Sequence, residues 1–170
     1  MGADIHLYIC KYNPEDNLFH ELCLYHKIEG DYKKVPIYDG RDYEMFDAIN
    51  NKSNYKDFGI FPHSPIAFNS LEPQLRKIVE HDIFEEIGTY GDGEVTFSDL
   101  LIYVNNHPTV FDYEADWDAS DLEIGNPKPQ KINPIKTLYE TCIHYTEFAE
   151  KYGVMEDSLS RYKILYWFDH

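Results

Sequence analysis

Residues 1–9 read Met1-Gly2-Ala3-Asp4-Ile5-His6-Leu7-Tyr8-Ile9, and from Asp4 onward polar and apolar side chains alternate. A period of two predicts a β-strand, because successive side chains of a strand point to opposite faces. The apolar residues then share one face, and Asp4 and His6 share the other. Neighbours on one face lie about 7 Å apart at Cα. A carboxylate and an imidazole at that spacing are close enough to share a metal ion, a water molecule or a ligand phosphate.

A turn is predicted directly after this strand, where residues 13–17 read Asn-Pro-Glu-Asp-Asn. Residues 18–28 carry recurring apolar positions and are predicted to form the second strand of a β-hairpin. With the turn centred near Glu15, Asp4 would face His26 and Cys10 would face His20. His26 would then join the polar face of the first strand.

The C-terminal residues 161–170 alternate again and are predicted to form a closing β-strand. Terminal strands are commonly tied into the sheet, so we expect this one beside the first strand or its hairpin partner. Either position would bring Asp169 or His170 close to Asp4 and His6.

Helix signals fill much of the middle of the chain. Capping residues and apolar stripes predict helices over 70–87, 96–106 and 133–153, and a short helix that contains Tyr43. The glycines of 90–94 predict a tight turn. We therefore expect a single α+β domain over residues 1–170, with a mixed or antiparallel sheet that contains the N-terminal hairpin and the C-terminal strand. Three or four helices would cover one face of that sheet.

The composition limits the class of partner. A formal charge of −16 disfavours direct nucleic-acid binding, because that binding depends on lysine and arginine. The same charge suits a cation or a basic partner protein, and the acidic connection over 108–133, around Trp117, is the segment predicted to meet it. Three cysteines without a CxxC pair indicate neither a disulfide framework nor a structural zinc site. Because no apolar stretch approaches about 20 residues, we expect no membrane span and a cytoplasmic protein.

A metal site is one candidate for the polar face of the first strand. Asp4, His6, His26 and Asp169 could supply the nitrogen and oxygen ligands of one divalent metal ion. The alternative is that Asp4 and His6 hydrogen-bond each other, or neighbouring backbone, on a half-exposed face.

A phosphate site is the second candidate. Arg41 follows Gly40 at the predicted start of the short helix, where a guanidinium and free backbone N–H groups favour a phosphate or carboxylate. Arg41 could equally bridge to a neighbouring aspartate. Tyr43 or Trp117 could stack on a base. The chain has no P-loop, no G-x-G-x-x-G after a strand and no G-x-S-x-G, which disfavours the common nucleotide-handling and acyl-transfer enzymes.

Several short motifs, in order along the chain, resemble a family of small proteins encoded by phages and bacterial mobile elements. Those proteins begin M-G-C-D-I-H, carry G-R-N-Y-x-L-F and close with F-W-F-D-N. This chain has MGADIH at 1–6, GRDYEMF at 40–46 and YWFDH at 166–170. It departs from the family at 61–65, where FPHSP stands in place of P-R-G-L-P, and at 93–96, where GEVT replaces a His-Ser pair. The resemblance implies a phage or mobile-element origin and a shared polar constellation.

Three functions follow as hypotheses. The first is a phage or mobile-element accessory protein, active in host interaction or anti-defence in the bacterial cytoplasm, that binds a small phosphorylated or nucleotide-like ligand. Asp4, His6, Arg41, Tyr43 and Trp117 would contact that ligand. The second is a metal-dependent hydrolase that uses the same pocket. The third is an acidic decoy that occupies the basic groove of a nucleic-acid-binding host protein.

Overall fold

The computed structural model describes residues 4–38, 42–51, 60–86, 88–112 and 114–169, which form eight β-strands and five α-helices. In chain order these are β1 (Asp4–Asn13), β2 (Leu18–Leu22), β3 (Leu24–Ile28), β4 (Asp31–Val35), α1 (Tyr43–Ile49), α2 (Pro73–Phe84), β5 (Tyr90–Thr96), α3 (Phe97–Asn106), β6 (Thr109–Phe111), α4 (Ala119–Glu123), β7 (Gln130–Ile132), α5 (Pro134–Glu150) and β8 (Tyr162–Asp169). Short 3-10 helices lie at Phe68–Ser70 and Glu156–Arg161. No helix in these ranges is both long and apolar enough to cross a bilayer.

The main sheet has four antiparallel strands in the order β2-β1-β8-β5. The C-terminal strand β8 therefore lies directly beside β1, as its alternation and terminal position predicted. Asp4 faces Asp169 across this pair, and His6 faces Trp167. The α+β class, with the N-terminal hairpin and the C-terminal strand in one antiparallel sheet, is confirmed.

Helices cover both faces of the sheet, and the expectation that only one face is covered was wrong. α1, α3 and α5 pack on the face that includes Ile164 and Phe168, and they form the larger core. α2 and the segment before it pack on the opposite face, against Leu165 and Trp167. The physical reason is that β8 is apolar at both alternating sets of positions, so neither face can be left in water. Because both cores share β8, the described residues form one domain.

The first hairpin differs from the predicted register by one residue. Cys10 faces Glu21 and Lys11 faces His20, so Cys10 does not face His20. The turn is closed by Asn13, whose carbonyl accepts a 2.9 Å hydrogen bond from the N–H of Asn17, and Asn17 has φ +59°. A four-residue loop thus replaces the turn centred near Glu15, and the register moves with it.

The chain leaves the main sheet after β2, and this overturns the predicted partner of Asp4. β3 pairs with β4 in a separate two-stranded sheet, where His26 faces Lys33. His26 therefore does not lie opposite Asp4. The one long strand predicted over 18–28 is two strands that belong to different sheets.

Two further segments are more ordered than predicted. Residues 90–96 form the edge strand β5, with a bulge between Tyr90 and Gly93, in place of a tight turn. The connection over 108–133 contains the short hairpin β6–β7 and the helix α4. A reciprocal capping box between Asp118 and Asp121 begins α4, so two of its acidic residues stabilise a helix end.

Alkaline pH is expected to destabilise the fold through two buried cysteines, one in each core. Burial raises the pKa of the Cys10 thiol above its ordinary value of 9.0, and burial raises that of Cys142 to about 12. In the unfolded chain both thiols lose their protons above pH 9, whereas the folded chain keeps them. Stability is therefore complete below pH 9 and falls at higher pH by about 1.4 kcal/mol per pH unit for each thiol.

Urea unfolding followed between pH 8 and about 10.5 measures this dependence. The Cys142→Ala variant is expected to start from a lower stability, because a buried side chain is truncated. Its free energy of unfolding should nevertheless fall less steeply with pH than that of the wild type, because only one of the two thiols remains. A midpoint that does not change with pH, or a slope that is identical in the variant, would contradict the prediction.

Candidate functional site

A groove lies where β1 extends past its hairpin partner. Among the described strands, residues 5–8 of β1 have β8 on one side only, because β2 ends opposite Ile9. Between this stretch and the residues that follow β4 is a cavity of about 260 Å³, which we call the edge groove. Its lining residues are Ile5, His6, Leu7, Tyr8, Lys34, Val35, Pro36, Ile37 and Tyr38. A strand edge of this kind presents backbone N–H and C=O groups to whatever enters the groove.

His6 is held in a fixed orientation at the edge groove. Its Nε2 lies 2.5 Å from Oδ2 of Asp169, and the two side chains are 39% and 36% exposed. The imidazole also stacks on Trp167, with ring centroids 5.7 Å apart and planes 11° apart. Because Nε2 is engaged by the carboxylate, Nδ1 is the ring nitrogen that could meet a ligand. The pairing of β1 with β8 creates this arrangement.

Lys34 supplies an ammonium group to the edge groove. Its Nζ forms an ion pair with Glu21 and lies 4.6 Å from the centroid of the Tyr8 ring. Tyr8 stacks on Trp167 as well, at 5.4 Å, so its ring lies between an indole and an ammonium group. Burial, with the Glu21 and Asp82 carboxylates nearby, raises the pKa of Tyr8 to about 12. The Tyr8 hydroxyl therefore stays protonated at neutral pH.

No protein-family model, no curated protein and no solved structure matches the chain. The function is therefore inferred from the groove and its side chains.

The four residues predicted to hold a metal ion do not come together. Asp169 lies beside His6 as expected, and Asp4, which has contacts of its own, lies opposite Asp169 in the ladder. His26 lies on β3 instead, facing Lys33, and this part of the prediction was wrong. In the described residues, only His81, Asp82 and Glu86 bring three potential ligand atoms within 4.8 Å of one another, and they lie on the exposed side of α2 and just after it. The predicted set does not fit a metal centre.

The predicted phosphate and stacking residues lie away from the groove or outside the described part of the chain. Arg41 is not among the described residues. Tyr43 is the first residue of α1, half exposed, with its ring edge against Phe46. Trp117 contacts Phe111 and lies 5.6 Å from Nζ of Lys128 in the acidic connection. Neither Tyr43 nor Trp117 lines the edge groove.

Sequence reasoning missed two residues of the groove, Lys34 and Tyr38. Neither residue was assigned a role from the sequence. One signal was present, because Lys33 and Lys34 are adjacent cations in a chain with 15 basic and 31 acidic residues. Cations that stand together against such a charge balance are candidates for an anion site.

A buried ion pair on the same face of the sheet as His6 and Trp167 was also missed. Nζ of Lys163 lies 2.7 Å from Oε2 of Glu94, and it donates a 2.9 Å hydrogen bond to Oγ of Ser70. The same ammonium lies 4.2 Å from the centroid of the Phe19 ring. Ser70 in turn donates its hydroxyl proton to the carbonyl of Ala67. No buried side-chain nitrogen or oxygen of the described residues lacks a hydrogen-bond partner. This cluster joins four segments of the chain and has a structural role.

Proposed function

We propose that the protein binds a small phosphorylated ligand in the edge groove, with His6 and Lys34 as the side-chain contacts. The observation that supports this most directly is the 2.5 Å contact between His6 and Asp169 at the groove. The carboxylate engages Nε2 and fixes the orientation of the imidazole, so Nδ1 is the ring nitrogen that could contact the ligand. Lys34 and the backbone N–H groups of the β1 edge provide further donors.

The size of the groove limits the ligand. Pockets that enclose drug-sized ligands measure about 300–1,000 Å³, and the edge groove, at about 260 Å³, is slightly smaller. A mononucleotide or a phosphorylated sugar, partly exposed to solvent, matches this volume. Tyr8 is already stacked on Trp167, so Tyr38 is the lining aromatic residue that could contact a base. Tyr38 thus takes the role predicted for Tyr43 or Trp117.

The carboxylates next to the groove are already engaged, because Asp169 contacts His6 and Glu21 pairs with Lys34. At physiological salt the screening length is about 8 Å, so distant carboxylates act only weakly on a phosphate in the groove. His6 and Lys34 are within contact range of a bound ligand. The ligand is therefore expected to bind more weakly as salt is raised.

The cellular setting rests on the motif resemblance. MGADIH at 1–6, GRDYEMF at 40–46 and YWFDH at 166–170 support an accessory protein of a phage or mobile element that acts in the bacterial cytoplasm. There it would sequester a nucleotide-like signal of host defence. Metal-dependent hydrolysis by the same residues has less support, because His26 lies opposite Lys33 and away from Asp4.

Titration calorimetry with a panel of mononucleotides, cyclic nucleotides and sugar phosphates tests the proposal. We expect at least one member to bind, and His6→Gln to weaken that binding by about tenfold or more, because a hydrogen bond to a charged group contributes about 1.5–3 kcal/mol. His20→Gln is the matched control, since His20 lies 2.6 Å from Asp16 with 39% and 40% exposure and is outside the edge groove. Absence of heat with every member, or equal weakening by both variants, would refute the proposal.

A further inference from the structure

The hairpin formed by β3 and β4, residues 24–35, stands apart from the main sheet, and we call it the arm. Its two strands are exposed on both faces, apart from the residues at the base. Tyr25 is 61% exposed and Tyr32 is 72% exposed. An isolated two-stranded hairpin is only marginally stable in water, because too little apolar surface is buried. A partner that covered the exposed tyrosines of the arm would therefore stabilise it.

The base of the arm shows which way its backbone groups point. The hydroxyl of Tyr145 accepts a 2.8 Å hydrogen bond from the N–H of Leu24 and donates a 2.9 Å hydrogen bond to the carbonyl of Val35. Leu24 and Val35 face each other in the ladder, so these groups point across it. Backbone direction alternates along an antiparallel strand. The N–H and C=O groups of Tyr25 and Lys27 therefore point outward, along the free edge of β3.

The tip of the arm is a tight two-residue turn. Glu29 and Gly30 have φ +52° and +91°, and Ile28 faces Asp31 across them. Two central residues with positive φ are typical of a type I′ turn, whose twist matches that of the flanking strands. Among the strands of the described ranges, β3 pairs only with β4.

We propose that the outer edge of β3 pairs antiparallel with β3 of a second copy of this chain, about a two-fold axis at His26. In this register the outward groups of Tyr25 meet those of Lys27 from the second copy, in both directions, and form four backbone hydrogen bonds. Leu24 lies opposite Ile28 of the other copy. The two arms then form one continuous four-stranded sheet with the strand order β4-β3-β3-β4.

Side-chain chemistry makes β3, and not β4, the self-complementary edge. The register about His26 pairs apolar with apolar residues and sets the ammonium of Lys27 beside the aromatic ring of Tyr25. The equivalent pairing of β4 about its centre would set Lys33 opposite Lys33, and like charges directly opposite each other are unfavourable. The arm carries three lysines against two acidic residues, Glu29 and Asp31, so two copies of a chain with charge −16 repel each other less here than across its average surface.

Two proline variants provide a matched test, because Lys27 and Tyr32 face each other across the arm. Each N–H points outward, along opposite edges, and proline is tolerated at such edge positions. Both variants also remove the contact of the Lys27 ammonium with the Tyr32 ring. Lys27→Pro removes a donor from the β3 edge, whereas Tyr32→Pro removes one from the β4 edge. His26→Glu, which would set two carboxylates opposite each other at the axis, is an independent variant.

Sedimentation equilibrium of the full chain over a range of concentrations gives the dissociation constant of the dimer. We expect a concentration-dependent dimer for the wild type and for Tyr32→Pro, and a dissociation constant raised about tenfold or more by Lys27→Pro and by His26→Glu. A wild-type chain that stays monomeric at every concentration overturns the proposal. Equal effects of the two proline variants, or a larger effect of Tyr32→Pro, overturn it too, because the contact would then lie elsewhere.

Discussion

Replacement of Glu94 by alanine is expected to lower the free energy of unfolding by about 3–5 kcal/mol, because it leaves a charge buried without its partner. The side chains of Lys163 and Glu94 are only 4% and 15% exposed, and their charged atoms lie 2.7 Å apart. Lys163 lies on the face of β8 that α2 and the segment before it cover, and this packing keeps its ammonium from water. Ser70 and the Phe19 ring remain as contacts, but neither neutralises the charge.

Urea or thermal unfolding of the variant measures this loss. Glu80→Ala is the matched control, because Glu80 lies at the same 2.7 Å from Arg76 but the pair is half exposed on α2. Exposed pairs four residues apart on a helix contribute about 0.3–0.5 kcal/mol. The double variant Lys163→Met with Glu94→Leu should recover most of the stability, since apolar residues can replace a buried pair. If Glu94→Ala costs no more than Glu80→Ala, the ion pair does not stabilise the fold as described.

Replacement of Gly93 by alanine is expected to cost about 1–3 kcal/mol through overpacking. A Cβ atom at this position would lie 2.6 Å from Oη of Tyr166 and 2.9 Å from its Cζ, with the carbonyl of Ser64 at 3.3 Å. Tyr166 is buried in the larger core and Ser64 is bridged to the neighbouring Glu94 through two backbone hydrogen bonds. Neither neighbour can move away without loss of packing. Glycine is needed here because of a close approach.

Chemical unfolding of Gly93→Ala beside Gly153→Ala tests this explanation. Gly153 has open space where a Cβ would stand, so its replacement is expected to stay within about 0.5 kcal/mol of the wild type. Tyr166→Phe in the Gly93→Ala background removes the nearest atom and should restore part of the loss, while the ring carbon at 2.9 Å still interferes. Equal stability of the two alanine variants would show that the sheet yields more easily than its packing indicates.

The features that were predicted correctly depend on residues that are close in sequence. The alternation in β1 and β8 identified both strands, and β8 pairs with β1, which is one of the two positions expected for it. Thr96 and Asn133 were recognised as helix N-caps, and each side chain accepts a backbone hydrogen bond from the first turn of its helix. Such signals act within one turn or one strand, so a single sequence displays them.

The features that were predicted wrongly depend on where distant segments meet. The observed register of the first hairpin differs from the predicted one by one residue, because the turn is a four-residue loop in which Asn17 adopts φ +59°. His26 does not lie opposite Asp4, because β3 pairs with β4 and not with β1. One residue of register exchanges the two faces of a strand, so small local differences have large consequences for a site.

Local periodicity in the sequence predicted the α+β class and the strands β1 and β8. It left open whether β8 pairs with β1 or with the hairpin partner of β1, and whether Asp169 or His170 lies near His6. Only the tertiary structure decided that both faces of β8 are covered, that Lys163 is buried against Glu94, and that Lys34 and Tyr38 line a groove beside His6. Burial and cavity shape arise from contacts among segments far apart in the chain, and periodicity along one segment carries no information about which segments these are.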